Sequence, residues 1–233
     1  MTIGAPQDVM IHVPRNRVDR YGAPIQPITR DIERNVLLAA LQHVAGYISQ
    51  RGQSIAVVAV GGAVNTLYLQ SRTTTHDVDI FGSTFTNQAR VLLDEAMQDA
   101  RRHYQGLGTD WLNTETQMWM PGPLHQRLTE AAERQNVRVF EQPGLVIYAA
   151  PWAYAFSAKV SRILTGGDQV RPYDLDDAVT YIHEYIRTHG NRPVPVATAL
   201  DWARQFHHES TENILRTRVN QAYRRRYGSN AFV

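Results

Sequence analysis

Apolar residues recur along this chain at two spacings, and the change between them divides it. Val36, Leu37, Ala40, Leu41, Val44 and Ile48 follow a helical repeat, which predicts a helix over 31–50 with Gly52 as its stop. The β-branched run 54–60 predicts a buried strand, broken by Gly61-Gly62. One or two helical turns are expected over 63–70, then a second strand over 78–81, closed by Gly82-Ser83. Leu92, Leu93, Ala96, Met97 and Ala100 share one face of a predicted helix over 87–104. Residues 106–123 are aromatic-rich and irregular in pattern, 124–134 reads as a helix, and strands are expected over 137–140 and 144–150.

From Pro151 onward the helical repeat takes over. Pro151 suits the first turn of a helix over 152–164. Leu175, Ala178, Val179, Ile182 and Ile186 form the stripe of a helix over 172–189, and two more helices are expected over 196–207 and 211–225. The pattern therefore predicts an α+β fold, with strands in the first two thirds and helices in the last. It divides into an extended N-terminal arm over 1–28, an α+β core over 29–150, and a helical C-terminal part over 151–233 packed on that core.

Composition narrows the chemistry. The 233 residues are 43% hydrophobic and 20% charged, in keeping with a globular protein of ordinary core size. There is no cysteine, which excludes disulfides, thiolate nucleophiles and Cys-ligated zinc. No apolar run has transmembrane length and no secretory leader pattern is visible, so no membrane partner and a cytoplasmic location are expected. Net charge is only +2, but Arg216, Arg218, Arg224, Arg225 and Arg226 crowd the C-terminal end. Arginines flanked by tyrosines suit nucleic-acid phosphates and bases, and they also suit a solvated helix end, where they complement the dipole.

The sharpest chemical signal is in VAVGGAVNTLYLQSRTTTHDVDIF, residues 58–81. Side chains alternate across a strand, so Asp77 and Asp79 share a face, roughly 6.5 Å apart along the chain. Val78 and Ile80 face the other way, toward a core. Paired carboxylates repel unless a positive group sits between them. A hard divalent cation, Mg²⁺ or Mn²⁺, is the natural partner, with substrate phosphates among its further ligands. The glycine pair lets backbone N–H groups approach such a phosphate. His76 points away from the aspartates and reads as structural; the other histidines singled out (His125, His183, His207 and His208) show no metal-ligand spacing.

Gly61-Gly62 followed by Arg72, Thr75 and the DVDI of 77–80 resembles the signature of the DNA polymerase beta-like nucleotidyltransferase superfamily. The segments DWLN (110–113), RVFEQPGLVIYAAPWAYAFSAKVSRIL (138–164) and RPYDLDDA (171–178) resemble its AbiEii-type group. The resemblance spans roughly residues 53–185 and implies a minimal nucleotidyltransferase fold. It implies a reaction in which a nucleoside monophosphate passes from an NTP to a hydroxyl of an RNA, protein or small-molecule acceptor, with release of pyrophosphate. Asp77 and Asp79 would hold Mg²⁺ or Mn²⁺. Gly61, Gly62, Arg72, Thr75, Lys159, Arg162 and Arg171 would bind the nucleotide. Lys159 is the chain's only lysine, and Asp174 or Asp177 would orient it or contribute to the acceptor site.

The resemblance also implies the third carboxylate that the superfamily usually carries on a nearby strand, for which Glu141 and Asp110 are the candidates. An RNA acceptor would be met by Arg224, Arg225 and Arg226. Two further readings stay open: a catalytically degenerate member that binds nucleotide or a partner, and the toxin of a toxin–antitoxin pair.

Overall fold

The computed structural model describes residues 31–82, 86–114, 116, 120–167 and 170–233. The arm expected over 1–28 and the Ser83 of the expected strand stop lie outside the described residues. The chain divides into two compact units, Met1–Ala150 and Pro151–Val233. The fold is α+β, with a mixed sheet and a helical last third.

In the first unit, β1 (Ile32–Glu33) leads into α1 (Arg34–Ser49), which buries Leu37, Ala40, Leu41, Val44, Ala45 and Ile48. The helix starts three residues later than the sequence pattern suggests. Asp31 instead stays outside the helix, where it accepts from Thr74 Oγ1 at 2.8 Å and pairs with His76 Nδ1 at 2.6 Å. Then come β2 (Ile55–Val60), α2 (Gly62–Leu67), β3 (Thr74–Thr75) and β4 (Val78–Phe81). Helix α3 (Asn87–His103) is capped by Thr86, whose hydroxyl accepts the Ala89 N–H at 3.2 Å. The unit closes with β5 (Leu112–Asn113), α4 (Gly122–Gln135), β6 (Arg138–Gln142) and β7 (Leu145–Ala149).

Five strands form one sheet in the order β5-β4-β2-β7-β6, while β1 and β3 pair separately. The central strand β2 runs antiparallel to β4 and parallel to β7. Its near-continuous apolar sequence, IAVVAV, is what a strand covered on both faces requires, and the adjacent Val57 and Val58, on opposite faces, are both buried. Helix α1 packs on β6 and β7, α4 on β2 and β7, and α1 also packs on α3. Gly144, in the β6–β7 turn, sits against α1: an added Cβ would strike the Ala45 carbonyl and come within 2.7 Å of the Ser49 nitrogen. Its φ of +97° is a second reason for glycine there.

The short DWLN segment was expected to be irregular. It forms β5 because Leu112 and Asn113 pair in parallel with Val78 and Asp79, extending the sheet by one strand. Periodicity cannot reveal a strand of two residues; only a neighbour with open edge hydrogen bonds defines it.

The second unit is helical: α5 (Trp152–Thr165), α6 (Asp174–Thr188) and α7 (Val196–Phe206) pack together. Its last helical stretch runs through α8 (Glu212–Ile214), a π-helical turn over Leu215–Val219, and α9 (Asn220–Tyr227). The wider turn keeps both Leu215 and Val219 fully buried. Asn220 then receives the chain end, donating to the Phe232 carbonyl at 3.0 Å and accepting the Phe232 N–H at 2.8 Å. Among the described residues, no helix is long and apolar enough to cross a membrane.

Candidate functional site

Strand register brings the glycine pair and the aspartates together. Val60, the last residue of β2, lies opposite Asp79 of β4, so Gly61-Gly62 follows directly beside the carboxylate strand. Val78 and Ile80 are buried at 0% and 1% exposure, while Asp77 and Asp79 are half-buried on the other face. The alternation expected of the DVDI strand is thus present, and its apolar half anchors the pair.

Gly61 has φ +68° and ψ −137°, a conformation that side chains avoid. A Cβ built on it would meet no atom within 4 Å, so it is the backbone conformation, and not crowding, that favours glycine there. Gly62 is crowded instead. A Cβ there would collide with Thr75 Oγ1 and lie 3.5 Å from the Arg72 guanidinium. Arg72 and Thr75 therefore stand against the glycine turn. Thr75 is buried, and its hydroxyl donates to the Asp77 carbonyl at 3.0 Å. Thr66 Oγ1 donates to the Thr74 carbonyl at 2.9 Å, tying α2 to β3. Five of the expected positions (Gly62, Arg72, Thr75, Asp77 and Asp79), with Gly61 beside them, occupy one end of β2 and β4.

The donor set suits a hard cation. Two carboxylates on one face, backed by a rigid buried strand, are a frequent minimum for Mg²⁺ when phosphates supply the remaining ligands. Of the two candidates for a third carboxylate, Glu141 is excluded by strand order. Glu141 lies on β6, three strands from β4, roughly 14 Å away at ordinary strand spacing. It is exposed and ion-paired with Arg138, which holds its carboxyl below the usual range. Glu141 therefore cannot share a cation with Asp79. Asp110 precedes β5, and its carbonyl accepts from Asn113 Nδ2 at 3.3 Å. On its other edge Asp79 pairs with Asn113 of β5, whose amide carries no charge signal in the sequence. Among the described residues, no third His, Asp or Glu joins Asp77 and Asp79 in a close ligand group.

Comparison with protein-family models, curated proteins and solved structures finds no match.

Lys159, Asp174 and Asp177 belong to the helical unit and form a cluster of their own. Lys159 Nζ lies 2.8 Å from Asp174 Oδ1 and 2.8 Å from Asp177 Oδ2. All three residues are buried, at 5%, 0% and 2% exposure. Arg162 reaches Asp174 at 3.6 Å, and the Arg171 N–H donates to Asp174 Oδ2 at 2.9 Å. The Arg171 guanidinium donates to Tyr173 Oη at 2.7 Å. Burial works to raise the Asp174 pKa, but Lys159, Arg162 and the Arg171 amide outweigh it and hold the carboxyl below its ordinary value. The Lys159 ammonium is thus held between two carboxylates and joins α5 to α6. The expected relation between Lys159 and its aspartates is present, with both partners bonded rather than one.

Arg224, Arg225 and Arg226 are exposed at the end of α9. Arg224 donates to Asn230 Oδ1 at 2.6 and 2.9 Å, and Arg226 donates to Thr180 Oγ1 at 3.0 Å. These bonds fasten the C-terminal turn and α6, so two of the three guanidinium groups already serve the fold.

A second group of potential ligands was missed entirely. His43 on α1 and Asp99 and His103 on α3 place one ligand atom each within 4.8 Å of one another. Nothing in the chain order links position 43 to positions 99 and 103; only the packing of α1 on α3 does.

Proposed function

We propose that the first unit is a metal-dependent nucleotidyltransferase site, built on Asp77, Asp79 and the Gly61-Gly62 turn. The observation that carries this reading is the convergence of the glycine turn, Arg72, Thr75 and the carboxylate pair at one end of β2 and β4. Asp77 and Asp79 would hold Mg²⁺ or Mn²⁺. Such a cation, when bound, supplies charge neutralisation on the leaving phosphates and lowers the pKa of an attacking hydroxyl.

The chain's own groups do the rest. With no side chain at Gly61 or Gly62, a phosphate would approach the main chain of this turn closely, and Arg72 beside Gly62 adds positive charge. Thr75 fixes the approach to Asp77 through its carbonyl. In the reaction, the acceptor oxygen bonds to the α-phosphorus, the bond to pyrophosphate breaks, and the hydroxyl proton passes to solvent. Lys159 is left out of phosphate binding, since Asp174 and Asp177 enclose its ammonium. Arg162 and Arg171 belong to that same cluster.

The test is incubation with Mg²⁺ or Mn²⁺ and each labelled NTP, with and without total RNA. Pyrophosphate release and label transfer that are lost in Asp77→Asn and Asp79→Asn support the reading. Asn113 beside Asp79 favours one alternative, a member that binds nucleotide without turning it over. Nucleotide binding that depends on Asp77 and Asp79, with no pyrophosphate release, selects that alternative. Absence of both binding and release overturns both readings.

A further inference from the structure

The α1–α3 interface carries a cluster that the proposed transferase chemistry does not use. His43 Nε2 lies 2.6 Å from Asp99 Oδ2. The His43 and His103 rings stand with centroids 4.6 Å apart, and Tyr104 meets His43 edge-on at 5.9 Å. Asp99 and His103 are four residues apart on α3, so both project from one side of that helix. His43 and Asp99 are about one-fifth exposed and His103 is 58% exposed, so the group borders solvent.

We propose that His43, Asp99 and His103 form a binding site for a transition-metal cation of the zinc class. Two imidazoles and one carboxylate are the ligand types such an ion prefers, whereas Mg²⁺ prefers oxygen alone. Metal–ligand bonds of about 2.0–2.1 Å in a tetrahedron set neighbouring ligand atoms roughly 3.3 Å apart. The present separations bracket that value, from 2.6 Å between His43 and Asp99 to an upper limit of 4.8 Å within the group.

One outer contact already orients a ligand. Arg102 Nη2 bonds Asp99 Oδ1 at 2.5 Å, which leaves Oδ2 directed at His43. His103 Nδ1 lies 3.8 Å from Asp99 Oδ2 and 2.9 Å from the Asp99 carbonyl, a contact this nitrogen gives up when it ligates. Outer contacts of this kind orient the ligands of established metal sites. With three protein ligands, the fourth position falls to water on the exposed His103 side. The ion would clasp α1 to α3, raising the stability of the first unit when bound.

The test titrates Zn²⁺ into the untagged full chain carrying Asp77→Asn and Asp79→Asn, so that the proposed transferase pair does not contribute. Binding is read by competition with a chromophoric chelator, and the ligand field by the absorption of the Co²⁺ form. The expected result is one equivalent of metal, a tetrahedral Co²⁺ spectrum and a rise in melting temperature. His43→Ala and His103→Ala should each weaken binding by at least ~10-fold, the least that losing an outer-contact partner costs. His189→Ala, an exposed histidine in the other unit, should change nothing. Unaltered zinc binding in the His43→Ala/His103→Ala double variant, folded by circular dichroism, overturns the proposal. So does failure of the parent to bind zinc at all.

Discussion

Replacing Lys159 by Met tests how the helical unit is held together. The substitution keeps the length and apolar stem of the side chain but removes the ammonium between Asp174 and Asp177. Those carboxylates are 0% and 2% exposed, so neither gains water when its partner leaves. Arg162 lies 3.6 Å from Asp174 and is too distant to replace two contacts of 2.8 Å. Removing one partner of a buried ion pair costs about 3–5 kcal/mol, because the remaining charge is left uncompensated. In a unit of this length each kcal/mol lowers the melting temperature by ~4–8 °C.

The assay is urea unfolding at neutral pH followed by tryptophan fluorescence, since Trp152 and Trp202 lie in the same unit and are buried. Lys159→Met should lower its stability by about 3–5 kcal/mol. The triple variant Lys159→Met/Asp174→Asn/Asp177→Leu should recover most of the loss, because the stranded charges go with it. The sign with pH follows from Asp174, whose folded-state pKa is depressed. Its contribution is present above the unfolded-state pKa and is lost as pH falls through the folded-state value. The gap between wild type and Lys159→Met should therefore narrow in acid. A cost below about 1 kcal/mol at neutral pH, the size of a surface pair, would refute the reasoning.

Other outcomes follow from single contacts. Gly62→Ala should destabilise the first unit by ~1–3 kcal/mol through its collision with Thr75, and adding Thr75→Ala should return part of that loss in thermal melts. His208, packed on Tyr154 at 5.2 Å and bonded to Ser157 Oγ at 3.1 Å, has its pKa lowered from 6.5 to about 4 by desolvation and by His207. The unfolded chain then binds the proton more readily, so stability should fall as pH drops from 6.5 toward 4, and His208→Gln should flatten that slope in urea midpoints. Asn220→Ala removes both buried bonds to Phe232 and should cost ~1–3 kcal/mol in equilibrium unfolding.

Much of this molecule is written in local pattern. The stripe through Leu37, Leu41 and Ile48 specifies α1, and the run IAVVAV specifies a buried strand. Alternation over 77–80 states which side chains anchor the strand and which are left half-buried beside the glycine turn. These features rest on spacings of two to four residues, which a single element fixes by its own geometry. Charge and residue type were equally legible, and so the carboxylate pair and the lone lysine drew attention.

What lies across the sheet or between helices is a different matter. Only strand order shows that Glu141 is three strands from Asp79 and that Asn113 is the residue beside it. Only the packing of α5 on α6 shows that Lys159 contacts both Asp174 and Asp177, and only α1 against α3 joins His43 to Asp99. Such contacts depend on which elements share the core, a cooperative choice made by the whole chain. Local sequence determined the pieces and their faces; tertiary packing decided which chemistry those faces bring together.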